Sequence, residues 1–253
     1  LLTTVRMENG TEFRNPRIYK NGVQFEGRIH ERSQCKKTAL CSGVVIQHDR
    51  VNSQNSSAIN ARDEQRKIHM NEIMLNEYKS DPTNLRVLFH LALWYQTQNE
   101  YCKTLKFQNL YLKHSKAPSD RYYVLYNRSL LFLTHRKLWR ALWAICRAEL
   151  EEPNRWETNK MKGIIYFAQK RYDHAIHYLV ESFDSNKKDF AYKPVKRDDA
   201  GTWNLIGECF YSRGIYDKAS TSFQLASDRA DDDKKKEFFK HRSELMAKMV
   251  TGR

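Results

Sequence analysis

The sequence predicts a mainly α fold, an α-solenoid of about four helix pairs preceded by a small β-rich piece. Three observations predict it. The 253 residues include only 9 glycines and 5 prolines, and no long alternating run, which argues against an all-β fold. Near residue 50 the apolar period changes from that of strands to that of helices. Beyond that point one spacing of large and small residues recurs several times.

Taken in order, residues 1–49 hold short extended pieces at Phe13–Tyr19, Gly22–Ile29 and Ser42–Ile46. Gly10, Asn15-Pro16 and Asn21-Gly22 punctuate them, and Asn-Gly between two extended segments predicts a hairpin. Three short strands bury too little to stand alone. Residues 50–66, with Asn52-Ser-Gln-Asn-Ser-Ser57 at their centre, have the composition of a linker. Residues 67–253 form the predicted solenoid. Its first helix carries Ile68, Ile73 and Leu75 and ends before Asp81-Pro82, because proline disfavours helix at the residue before it.

With Trp203 as the fourth residue of a unit of about 34, Ile206 and Gly207 fall at positions 7 and 8, and Phe210 at 11. Ala219, Phe223 and Ala226 then fall at 20, 24 and 27. This resembles the tetratricopeptide repeat. Small residues at 8 and 20 let the first helix of a pair approach the second, and large residues at 4, 7, 11 and 24 fill the gap. A frame starting at Trp156 gives Gly163, Tyr166, Tyr172, Ala175 and Leu179; one starting at Tyr122 gives Leu125, Phe132, Ala141, Ile145, Ala148 and Pro153. A frame starting at Leu85 gives Leu88, Leu91, Ala92 and Tyr95, with Thr104 in place of the small residue at 20. An insertion at Asp184–Asp199 is expected to be a surface loop, with a binding loop as the alternative, and Lys234–Met249 a capping helix.

With 44 Lys and Arg against 30 Asp and Glu, the net charge is +14. Between Lys103 and Arg147 the sole acid is Asp120, while Lys103, Lys106, Lys113, Arg121, Arg128, Arg136, Lys137, Arg140 and Arg147 interleave with aromatic residues. Such a stretch is a candidate surface for an acidic protein or a nucleic acid. The alternative is that the aromatics are core and the cations a solvated rim. His174 and His177 have the spacing of a metal pair, but no Cys or carboxylate completes a set, and a solvated helix face fits them better. Asp231-Asp-Asp233 opens a charged helix, where acids complement the dipole. Five cysteines at wide spacing argue against a disulfide framework and for a reducing, cytoplasmic setting. No apolar run approaches the length of a membrane span.

Two further features suggest a second family. Phe13-Arg-Asn-Pro-Arg-Ile-Tyr19 is followed by Phe25-Glu-Gly-Arg-Ile-His-Glu31. Gly43-Val-Val-Ile-Gln-His48 is followed by Asn71–Tyr78, Asp81-Pro-Thr-Asn84 and Arg86-Val-Leu-Phe-His-Leu-Ala92. This order resembles the end of a family 2, GT-A type glycosyltransferase joined to tetratricopeptide repeats. The resemblance implies a divalent metal (Mn or Mg) and a nucleotide-sugar donor. It makes His30 a metal or diphosphate ligand and Glu31 a candidate catalytic residue, with a protein or glycan acceptor. The donor-binding half, with its Asp-x-Asp on a strand, is absent from the sequence, so the chain alone is expected to be inactive. A chain that begins at Leu1 rather than Met fits a fragment or a processed protein. The competing expectation is a non-catalytic scaffold that binds an acidic protein or nucleic acid within a larger assembly.

Overall fold

The computed structural model describes the backbone of residues 2–6, 12–16, 25–26, 32–33, 40–47, 56–184 and 198–252, with side chains in 68–184 and 198–252. The chain divides into two compact units, one covering Leu1–His114 and the other Ser115–Lys187 with Arg197–Arg253. This division falls between His114 and Ser115, within the repeats.

In the first unit, strands β1 (Leu2–Arg6), β2 (Glu12–Pro16) and β5 (Leu40–Gln47) form a sheet of order β2-β1-β5. β1 pairs antiparallel with β2 and parallel with β5. β3 (Phe25–Glu26) and β4 (Arg32–Ser33) pair separately. The hairpin expected around Asn21-Gly22 lies outside the described residues, while β2 pairs with β1 across a segment holding another Asn-Gly, Asn9-Gly10. These ladders are short, and no identification with a GT-A domain rests on them.

Helix α1 (Ser56–Ser80) begins inside the stretch expected to be a linker. The Asn/Ser run before it signals a turn, but Ala61, Glu64, Gln65 and Arg66 are good helix formers and extend the helix backwards. Asp81 stops the chain in an Asx turn, accepting from the Thr83 amide (3.0 Å) and hydroxyl (2.7 Å). The Thr83 hydroxyl hydrogen bond, more than any other contact, holds the Asp81 carboxyl below its ordinary pKa. Asn84 then caps α2 (Leu85–Thr97), its side chain accepting from the amides of Arg86 and Val87. α3 (Tyr101–His114) packs back on α2, with Tyr95 stacked on Phe107 at 5.5 Å.

The second unit continues with three helix pairs and a cap. These are α4 (Pro118–Thr134) with α5 (Leu138–Glu151), α6 (Trp156–Ala168) with α7 (Tyr172–Asp184), and α8 (Asp199–Ser212) with α9 (Tyr216–Arg229). α10 (Asp233–Thr251) is the cap, and its N-terminus is held by Asp232 accepting from the Lys234 amide at 2.8 Å. The repeat frame is visible in the packing. A Cβ built on Gly163 would lie 2.6 Å from Leu179, and one on Gly207 would lie 2.6 Å from the Phe223 ring, so position 8 touches position 24 in both pairs. Leu125, Ile145, Ile165, Leu179, Ile206 and Phe223 are completely buried. The residue at position 15, between the two helices of a pair, has a left-handed backbone in all four repeats. It is Asn99 (φ 56°), Arg136 (φ 55°), Lys170 (φ 61°) and Gly214 (φ 73°).

Candidate partner-binding surface

The cations expected to form one surface fall into both units and have different environments. In the first unit Lys103 pairs with Glu100 at 3.2 Å and lies over the Tyr95 ring. Lys106 lies over the rings of Tyr78 and Phe107, and Lys113 sits in the last turn of α3.

In the second unit two expected members do not face solvent as free cations. Arg121 joins Glu151 at 2.7 Å and donates to the Ser115 carbonyl, tying α4 to the end of α5. Arg128 is only 6% exposed. Burial first, and the neighbouring Arg147 second, lower its pKa to about 10. The reason lies in the frame: Arg128 stands at position 7, on the inner face of the first helix of its pair, where Leu91 and Ile206 stand in other repeats. Lys162 occupies the same position in the third repeat. It too is buried, and there it reaches both carboxylate oxygens of Glu149 at 2.7 and 2.6 Å.

The remaining four cations gather on α5 and the turn before it. Arg136 supplies the left-handed turn residue and Lys137 the N-cap position of α5. Arg140 and Arg147 follow along the helix. Their aromatic neighbours are not core. Ala141, Ala144, Ile145 and Ala148 form the buried face of α5. Trp139 and Trp143 lie on the other side, 70% and 55% exposed. The Arg147 guanidinium stacks 4.8 Å from the centre of the Trp143 ring. Phe132, Trp139, Arg140 and Trp143 line an open hollow of about 400 Å³. Arg136, Arg140 and Arg147 have no carboxylate partner among the described residues. Nearby acids are already engaged: Glu149 with Lys162, Glu151 with Arg121, and Glu152 with Arg155.

His30 and Glu31 lie outside the described residues. The His174 ring lies tilted against that of Tyr166 at 5.2 Å, and His177 meets the edge of Tyr178 at 5.1 Å. Among the described residues no three His, Cys, Asp or Glu side chains gather as a metal site requires. No helix of the described residues is long and apolar enough to cross a membrane. Cys102 and Cys146 are exposed free thiols and Cys209 a buried one, its pKa pushed up to about 12 by burial.

No protein-family model matches the chain, and no curated protein does. Solved structures do. MamA is similar with a TM-score of 0.54 at 16% identity, over 69% of this chain and 94% of that one. The C-terminal part of a TPR repeat-containing protein from Cytophaga hutchinsonii gives 0.59 at 13% identity, over 75% and 69% of the two chains. PilF of Pseudomonas aeruginosa gives 0.54 at 14% identity, over 76% and 87%.

These likenesses correct the identification with a family 2 glycosyltransferase, because they lie in a helical repeat fold and bring no GT-A domain with them. The shared pattern has a physical cause in how a helix pair begins. Asp81 and Asn84 are a turn and a helix cap, while Leu88, Leu91 and Ala92 are the buried face of α2. Those residues are what any repeat of this kind needs at its start. At these identities the likeness is one of fold: an α-helical, tetratricopeptide-like repeat protein.

Proposed function

We propose that the chain is a tetratricopeptide scaffold that binds an acidic segment of a partner protein in a reducing, cytoplasmic compartment. The fold supports the scaffold, since stacked helix pairs offer extended surfaces to other proteins. The single observation that carries the acidic partner is the cluster Arg136, Lys137, Arg140 and Arg147 around two exposed tryptophans, with three of those cations lacking any carboxylate among the described residues. An uncompensated cationic surface attracts acidic segments and speeds their encounter. Free rather than paired thiols support the compartment.

The test is equilibrium binding of a labelled poly-Glu peptide at salt concentrations of about 0.05 and 0.5 M, which bracket strong and weak screening. Affinity is expected to fall several-fold with salt, and again in Arg136→Glu/Arg140→Glu. Binding indifferent to both would refute the proposal.

A further inference from the structure

The repeat frame provides an internal control for the outer face of α5. Positions 18, 22, 25 and 29 lie about half a turn from the core positions 20, 24 and 27, and they are solvent-exposed in every repeat. In α3 they are Cys102, Lys106, Asn109 and Lys113. In α7 they are Asp173, His177, Val180 and Asp184, and in α9 Asp217, Thr221, Gln224 and Asp228. In α5 they are Trp139, Trp143, Cys146 and Leu150. Three repeats thus treat this face as solvated surface, and one covers it with apolar side chains, Leu150 being 85% exposed.

Two exposed tryptophans and a leucine in line approach the few hundred Å² that a monomer rarely leaves uncovered. Arg136, Arg140 and Arg147 run along one flank of the same stripe at helical spacing.

We propose that this stripe is a docking face for an acidic amphipathic helix of a partner protein. The inference rests on the scaffold reading above and names its site and ligand. Four apolar anchors at i, i+4, i+7 and i+11 extend over roughly 16 Å of helix. That is the pitch at which a second helix lays its own i, i+4, i+7 residues into the spaces between them. The flanking arginines then meet Asp or Glu beside the partner's apolar stripe, in bidentate contacts.

A second copy of this chain fits badly, because the same three arginines would face one another. A nucleic acid fits badly too. Bases would use the tryptophans, but Leu150 and Cys146, which continue the stripe, offer them no stacking face. The contact area of one helix on one helix places the complex among small, transient interfaces.

The experiment is selection on the whole chain from a displayed library of helical peptides about 16 residues long, followed by affinity measurement of the enriched peptides. The expected peptides carry apolar residues at i, i+4 and i+7 and acids beside them. Their affinity should drop roughly tenfold or more in Trp139→Ser/Trp143→Ser, as for aromatic hot spots elsewhere. That variant changes only exposed positions, and its circular dichroism and melting temperature are expected to match the parent.

Enrichment without acids overturns the proposal, as does affinity unchanged in the double variant. If acidic peptides still bind that variant, the docking face falls and the scaffold reading stands. If no acidic peptide binds either protein, both fall. Oligonucleotide binding or dimerisation that is lost in the double variant, with no peptide enriched, assigns the stripe to those occupants instead.

Discussion

Gly207→Ala is a sharp test of the frame on which the repeat assignment rests. The added Cβ would meet Cε1, Cδ1 and Cζ of Phe223 at 2.6, 2.7 and 2.9 Å. Carbon atoms prefer about 3.5–4.0 Å, so the ring has to retreat by about 1 Å. It has nowhere to go. Phe223 is completely buried, and the Arg242 guanidinium lies 4.1 Å from the ring centre. Arg242 is itself held by Glu208 at 2.6 Å and by the Asn204 side chain at 2.9 Å.

Overpacking of this kind costs about 1–3 kcal/mol. Replacing a mid-helix glycine by alanine returns about 1 kcal/mol of helix propensity. The net expectation is a loss of up to about 2 kcal/mol, or a drop of up to about 8 °C in melting temperature. Phe223→Val removes all three contacting ring atoms. In that background Gly207→Ala should therefore change sign and stabilise by up to about 1 kcal/mol. Urea and thermal melts of the four proteins give the cycle. The same change on Gly207→Ala in both backgrounds would refute close packing of position 8 on position 24.

Other consequences are as direct. Lys170→Gly relieves a left-handed residue and should raise stability by about 0.5–1 kcal/mol by denaturant melts; no gain would mean that the turn is not left-handed. Asn84→Ala removes the acceptor of two amide hydrogen bonds and should cost about 1 kcal/mol, read in the same way. Under native alkylation followed by peptide mass mapping, Cys146 should react and Cys209 should remain unmodified until the protein is unfolded. Burial raises the Cys146 thiol, so its rate should keep climbing at pH values where an ordinary thiol has levelled off.

The repeat frame was legible because it is a packing rule written in residue size. Gly163, Gly207, Leu179 and Phe223 sit where that rule puts them. The same rule, applied to polar residues, would have shown that Arg128 and Lys162 stand at position 7 and are therefore buried. Charge alone placed Arg128 on a binding surface. Trp139 and Trp143 were ambiguous by composition, since aromatics in a helix are usually core. Laying the four second helices over one another resolves them, because position 18 and position 22 are polar or small elsewhere. The start of α1 was not legible: local turn residues at 52–57 outweighed the helix formers that follow. The transferase identification failed for a related reason, as caps and core spacings recur wherever helices pair in this way.

Arg136 joins two demands that pull in opposite directions. As the link between α4 and α5 its backbone adopts a conformation suited to glycine, while its side chain stands at the head of the cationic flank. Selection for heat resistance alone would replace it by glycine, and selection for partner capture would keep the arginine. A mutational survey read on both scales should find residue 136 among the best substitutions by one measure and the worst by the other. Lys170, in the same backbone conformation but beside a polar helix, should show no such conflict.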